Sequence, residues 1–250
     1  APWAAACIDC HPLETRAWLS HAMADTLGQL DAGKVPAQPA ERWVLNPSSG
    51  AFYRVEDNSV GWRIVEERDA PGPGGAAVRR SMELSWRIGA GVRDMAFVAR
   101  ENGRWHFSPL EFYTGLGWAS APFEFGAHPA GLRQPITPDC LSCHTTGELP
   151  APYPYNDLGD LEPRGLDCGA CHGPVAEHVR RMEAGELGDP AILNPAHLSP
   201  GRQLDLCARC HLEGEGRIAL TPDGLTGFQP GDDLLELLAV LVGREPGDDY

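Results

Sequence analysis

Four copies of one pentapeptide constrain this 250-residue chain more than any other feature. They read Cys7-Ile8-Asp9-Cys10-His11, Cys140-Leu141-Ser142-Cys143-His144, Cys168-Gly169-Ala170-Cys171-His172 and Cys207-Ala208-Arg209-Cys210-His211. All 8 cysteines fall within them. Each is Cys-x-x-Cys-His, the attachment signature of a c-type haem. Two thiols on neighbouring turns add to the vinyl groups of one haem, and the adjacent histidine reaches the iron as the proximal axial ligand. With 9 histidines in 250 residues, chance would flank all four pairs with a probability on the order of one in a million. A zinc site explains cysteine pairs but not a histidine after every pair. Disulfide staples explain an even cysteine number and nothing more. A redox dithiol occurs once, near a βαβ pattern. The expected cofactors are therefore four covalently attached c-type haems. Cys7, Cys10, Cys140, Cys143, Cys168, Cys171, Cys207 and Cys210 would bind them, with His11, His144, His172 and His211 as proximal iron ligands.

Five histidines remain: His21, His106, His128, His178 and His197. Four irons need four second ligands if all are bis-histidine. His21 falls at helical spacing with Leu13, Ala17 and Trp18, on an apolar face where a haem ligand would need to be. His178 follows a haem motif on an expected helix that Gly173-Pro174 starts. His128 and His197 lie in proline-containing loops upstream of haem motifs. These four are the candidate distal ligands. His106 sits in the strand-like Trp105-His106-Phe107 and reads as structural. Met23, Met82, Met95 and Met182 are alternatives in no better context. Bis-histidine ligation would give lower potentials than Met/His ligation.

The expected fold class is mostly irregular and α, a multihaem fold with few short helices and a small antiparallel β insert, its core built around four stacked c-type haems. Gly and Pro together make roughly a fifth of the chain, loop-rich but short of disorder. Each macrocycle is a large apolar body, so polypeptide wrapped around porphyrin can be compact with little regular structure. Residues 1–40 read as an N-terminal haem segment with a helix over 12–30. Residues 41–121 carry no cysteine and alternate as strands, with a turn at Asp57-Asn58, a loop at Pro71-Gly72-Pro73-Gly74-Gly75 and a hairpin signal at Glu101-Asn102-Gly103-Arg104. Trp43, Trp62, Trp86 and Trp105 are expected in ordinary packing there. Residues 122–250 hold three motifs in 72 residues, a helix carrying Cys207 and His211 after Ser199-Pro200, and an apolar helix over 232–242. The whole is expected to form one haem-organised unit.

The net charge of −15 makes nucleic acid and anionic membrane surfaces poor partners and a redox protein with a basic docking surface a better one. No apolar run spans a membrane. The first motif begins six residues in, which reads as a mature N-terminus after signal-peptide removal. Export to the periplasm, cell surface or exterior is the corresponding expectation.

Several longer pieces resemble a known family. They are Cys7-Ile8-Asp9-Cys10-His11-Pro12 with Ala17-Trp18 and Ser20-His21; Arg87-Ile88-Gly89-Ala90-Gly91; Cys168-Gly169-Ala170-Cys171-His172-Gly173-Pro174 with His178; Asn194-Pro195; Leu198-Ser199-Pro200; Leu206-Cys207 through His211-Leu212; and Pro230-Gly231 with Leu234. Together they resemble the multihaem cytochromes c that include the tetrahaem electron acceptors of hydroxylamine oxidoreductase, and still more the longer multihaem cytochromes with tetratricopeptide repeats. The resemblance implies that His21 and His178 are distal ligands, with a ligand from a second subunit as an alternative. It implies an electron-transfer protein, and the spare histidines, enough for a second ligand on every iron, argue against an enzyme. Two other readings accompany it: a subunit of a self-associating extracellular cytochrome filament, and a haem enzyme acting on small nitrogen compounds at a five-coordinate iron.

Overall fold

A computed structural model describes residues 2–31, 33–38, 42–58, 61–69, 77–126, 128–146, 149, 157–158, 162–186, 188, 190–212, 214 and 216–243. The chain falls into two compact units, residues 1–16 with 166–250, and residues 17–165. These boundaries group the 7–11 motif with the 168–172 and 207–211 motifs, and the 140–144 motif with the strands.

The strands are β1 (Leu27–Gln29), β2 (Val44–Leu45), β3 (Phe52–Asn58), β4 (Gly61–Arg68), β5 (Val78–Ile88), β6 (Asp94–Glu101), β7 (Arg104–Phe107), β8 (Leu110–Tyr113), β9 (Gly117–Ser120), β10 (Gly216–Ala219) and β11 (Leu238–Leu241). The helices are α1 (Pro2–Ile8), α2 (Pro12–Leu19), α3 (Pro138–Leu141), α4 (Gly169–His172), α5 (Ala176–Glu183), α6 (Pro200–His211) and α7 (Leu234–Leu237). The fold class expected from sequence is thereby corrected. The dominant element is a nine-stranded antiparallel sheet in the order β2-β3-β4-β5-β6-β8-β9, with β1 on β5 and β7 on β6. Its two end strands, β2 and β9, approach each other, so the sheet nearly closes as a barrel. Closure hides edge strands that would otherwise recruit other chains.

The physical reason for the correction is that the 17–165 unit buries its own apolar side chains without help from porphyrin. One cluster fills the barrel: Tyr53, Val55, Ile64, Met82, Leu84, Met95, Phe97 and Trp118 among others. Met82 and Met95 are thus core residues here. A second cluster covers the other face: Leu27, Trp86, Ile88, Val98, Trp105, Ile136, Leu141 and Leu158. On β6 the odd residues Met95, Phe97 and Ala99 join the first cluster and Val98 joins the second, as strand alternation requires. On β5 the register against β6 slips between Leu84 and Trp86. That extra residue switches β5 from one face to the other, so Met82 and Leu84 point into the barrel while Trp86 and Ile88 pack outside it.

Smaller expectations also change. The helix over 12–30 ends at Leu19, is followed by a 3-10 turn at Ala22–Asp25, and gives way to β1. Strand β3 runs through Asn58, which pairs with Gly61, so Asp57 and Asn58 are strand rather than turn. The apolar stretch expected as a helix over 232–242 is one helical turn, α7, then β11 paired with β10. The glycine-proline loop at 71–75 lies outside the described residues. The Asn102-Gly103 hairpin is present: Glu101 pairs with Arg104, and both turn residues have positive φ, 51° and 78°, the pattern of a two-residue type I′ turn. The helices carrying His178 and His211 also form, α6 capped by the Ser199 hydroxyl with Pro200 in its first turn.

Candidate functional site: the four cysteine-histidine motifs

Every motif takes up a helical turn. His11 N–H bonds to the Cys7 carbonyl at 2.8 Å, and His172 N–H to the Cys168 carbonyl at 3.0 Å. His144 N–H bonds to the Leu141 carbonyl at 2.8 Å, and the fourth motif lies within α6. On a helical turn the i and i+3 side chains share one face. The two thiols of a motif therefore point the same way, with the histidine one residue further round. Cys10, Cys140 and Cys207 are exposed, and the other five cysteines are partly buried. Among the described residues no three His, Cys, Asp or Glu side chains converge as a bare metal site would need.

The unit of residues 1–16 and 166–250 holds three motifs. Burial, with the Cys7 thiol hydrogen-bonded beside it, pushes the Cys168 thiol up to about 11. Burial and then the neighbouring Cys207 raise the Cys171 thiol as well. The 168–172 motif is therefore flanked by one thiol of each of the other two. Helices α5 and α6 have no buried residue among them, and Leu204 of α6 is 66% exposed. A helix normally gains its stability by burying an apolar face. These faces fit a large apolar prosthetic group.

The imidazoles supply a sharper test. His172 Nδ1 lies 2.9 Å from the Leu193 carbonyl oxygen, and His178 Nδ1 lies 2.7 Å from the Pro190 carbonyl oxygen. A carbonyl only accepts, so Nδ1 carries the proton in both and Nε2 keeps its lone pair for a metal. This is the arrangement that orients metal-binding histidines. The ring centres of His11 and His178 are 6.3 Å apart. Two metal–nitrogen bonds of about 2.0 Å, with about 1.2 Å from each nitrogen to its ring centre, give about 6.4 Å. His11 and His178 are therefore close enough that both would be able to hold one iron. His211 is exposed at the end of α6, and His197 is exposed on the 3-10 turn Pro195–His197.

In the 17–165 unit the 140–144 motif is seated on the outer face of the sheet. Thr137 caps α3, with Pro138 in its first turn. Leu141 is fully buried beside Trp86 and Trp105, whose rings stack at 3.9 Å. Burial lowers the His144 imidazole, so it stays neutral, and its Nδ1 is buried with no hydrogen-bond partner. His106 lies on β7 beside Trp105 in sequence and therefore on the opposite face. Its backbone bridges to Pro135, and the Arg133 backbone hydrogen-bonds its ring. His128 is exposed beyond the 3-10 turn Pro122–Phe125. His21 stacks on Trp18 at 5.6 Å, and its Nδ1 accepts the Met23 N–H at 3.2 Å. A neutral ring that accepts at Nδ1 carries its proton on Nε2. In this conformation His21 caps the Ala22–Asp25 turn, and binding iron through Nε2 would need the cap to open.

Sequence reading passed over three residues around this motif: Asp25, Thr26 and Arg87. Arg87 was visible only as the first residue of a resembling stretch. A buried arginine on a strand carries no periodic signal, because its partners come from elsewhere in the chain.

No curated protein and no solved structure matches this chain. Residues 127–173, which include the 140–144 and 168–172 motifs, match the family described as cytochrome c554 and c-prime. That match supports a c-type cytochrome family, with covalently bound haem c and a hint of electron transfer as what it implies.

Proposed function

We propose that the chain is a tetrahaem electron-transfer protein, one haem on each Cys-x-x-Cys-His motif, passing single electrons between closely spaced and mostly bis-histidine irons. The observation that carries this reading is the 6.3 Å spacing of His11 and His178, with His178 Nδ1 bonded to the Pro190 carbonyl. Haem c supplies the one-electron exchange. The chain would attach it through two thiols, and His172 and His178, each bonded through Nδ1 to a carbonyl, would keep Nε2 free for the metal. The thiol contacts support an order in which the haem of the 168–172 motif lies between those of the 7–11 and 207–211 motifs. His178 is the first distal ligand in this reading. His128 and His197 are exposed enough to serve without unpacking anything, and His21 serves if its cap opens.

The protein is proposed to act after export, in the periplasm or outside the cell, because haem attachment to this motif takes place there. Its partner is a redox protein with a basic docking surface, attracted by the net charge of −15. The test is intact mass after acid–acetone extraction together with electron paramagnetic resonance of the oxidised holoprotein. Four retained haems with low-spin signals are expected. Extractable haem or a zinc-only protein would sink the reading, and a dominant high-spin signal would favour an enzyme with an open iron. Electron transfer to a basic partner should slow as salt rises, since screening shortens the field to about 8 Å near physiological ionic strength.

A further inference from the structure

The 140–144 motif differs from the 168–172 motif in how its histidine is oriented. His172 and His178 are each held by an Nδ1–carbonyl hydrogen bond. His144 has no such bond, since its Nδ1 is buried and unpartnered. The direction of its ring therefore depends on how firmly its main chain is held. A side chain holds it from elsewhere in the chain: the single proton of the Thr26 hydroxyl is directed at the His144 carbonyl at 2.8 Å and shared with the Met23 carbonyl at 3.1 Å.

Thr26 is itself fixed by β5. Gly89 N–H bonds to the Thr26 carbonyl at 2.8 Å. Next to it, Arg87 is 2% exposed and directs its guanidinium at the preceding residue. Nη1 donates to the Asp25 carbonyl and to the Gly89 carbonyl, each at 2.9 Å, while Nη2 pairs with the Asp25 carboxylate. Lys34 closes on the same carboxylate at 2.7 Å. The guanidinium lies flat across Gly28, where a Cβ would come within 2.9 Å of Nη2. Gly165 backs the turn from another side, so close that a Cβ there would sit 2.2 Å from the Ala24 carbonyl oxygen. A buried charge is costly unless it is paired; here Nη1 and Nη2 are paired, while Nε is buried without a hydrogen-bond partner. Arg87 meets main chain and side chain of Asp25 at once, which the planar fork of arginine allows and a lysine does not.

We propose that Arg87 is a positioning residue for the haem of the 140–144 motif: it clamps the Ala22–Asp25 turn, and through Thr26 the clamp holds the main chain of His144, the residue whose ring would ligate the iron. This rests on the reading that the motif carries a haem. The clamp belongs to one haem of the four, so its loss should disturb that haem alone.

The test uses the haem-loaded protein and reads electron paramagnetic resonance with a spectropotentiometric titration. A Cys140→Ala/Cys143→Ala variant identifies the signal of this haem by its disappearance. Thr26→Val, which keeps the shape and removes the hydroxyl, and Arg87→Lys, which keeps the charge and removes the fork, should each retain four haems. In both, that one signal should move its g values and its midpoint while the other three stay in place. Thr26→Ser, which restores a hydroxyl, should restore the parent signal. An unchanged signal in Thr26→Val, or equal shifts of all four haems, would overturn the proposal, and Thr26→Val carries the test alone if Arg87→Lys fails to fold. A parent protein with four haems but no clamp effect would leave the electron-transfer reading standing. A parent protein with no haem on the 140–144 motif would end both.

Discussion

At the scale of single residues, the hydrogen bond at Nδ1 separates the histidines. His172 and His178 donate from Nδ1 to a carbonyl and keep Nε2 for a metal, whereas His21 accepts at Nδ1. His178→Ala is therefore expected to keep four haems, gain a high-spin signal and bind carbon monoxide at one iron. A spectrum that stays low-spin throughout would remove His178 from the ligand set. His106 has a different consequence. Burial holds its imidazole below the ordinary histidine range, outweighing the Arg133 backbone bond and Glu101. Above about pH 6.5 the ring is neutral folded and unfolded, so its contribution is complete there. As pH falls, the unfolded chain takes the proton first, and stability is lost until pH passes the lower folded value. His106→Asn should flatten the fall in urea midpoint between about pH 7 and about pH 5. An equally steep fall in the variant would place the acid sensitivity in other groups.

At the scale of elements, α3 depends on the sheet more than on itself. It is four residues long, capped by Thr137, and joined to the outer cluster through Leu141. A helix this short has no stability of its own in water. Leu141→Ala removes a fully buried side chain and should cost about 2–5 kcal/mol by urea unfolding. It should also broaden the signal of the haem on that motif. A loss well under 1 kcal/mol would mean that porphyrin rather than the Trp86–Trp105 stack seats the motif. Helix α6 is the contrast: it is twelve residues long, capped by Ser199, and buries none of them. Its caps are local in sequence, whereas its neighbours, Asp233 beside Arg202 and Phe228 beneath Arg209, come from later in the chain, which is why sequence reading found the helix and not its packing.

At the scale of the whole molecule, the two units differ in what fills them. Both large apolar clusters lie within residues 17–165. Among the described residues the other unit has scattered buried apolar side chains, such as Phe228, Leu234 and Leu238. The Cys140→Ala/Cys143→Ala variant should therefore lose one haem and keep its sheet, with near-parental far-ultraviolet circular dichroism and protease resistance over residues 17–165. Cys168→Ala/Cys171→Ala removes a haem from the unit with little core of its own, and limited proteolysis should cut residues 166–243 much faster. Equal resistance in both variants would show that the second unit folds without its haems.

The sequence by itself determined the four Cys-x-x-Cys-His motifs that hold all eight cysteines, because a haem-attachment signature is local and needs only five consecutive residues. It also determined the Asn102-Gly103 hairpin and the caps of α6, which depend on neighbours in the chain. Tertiary structure decided the rest. Alternation along β3 to β9 marks strands, but whether a sheet is a small insert or a nearly closed barrel depends on which strands end up side by side. The bulge that turns Trp86 to the outer face is a register slip, invisible in a residue pattern of period two. His11 and His178 are 167 positions apart, and only folding brings their rings to 6.3 Å. Arg87, Asp25, Thr26 and His144 likewise meet through long-range contacts, whose geometry no local spacing encodes.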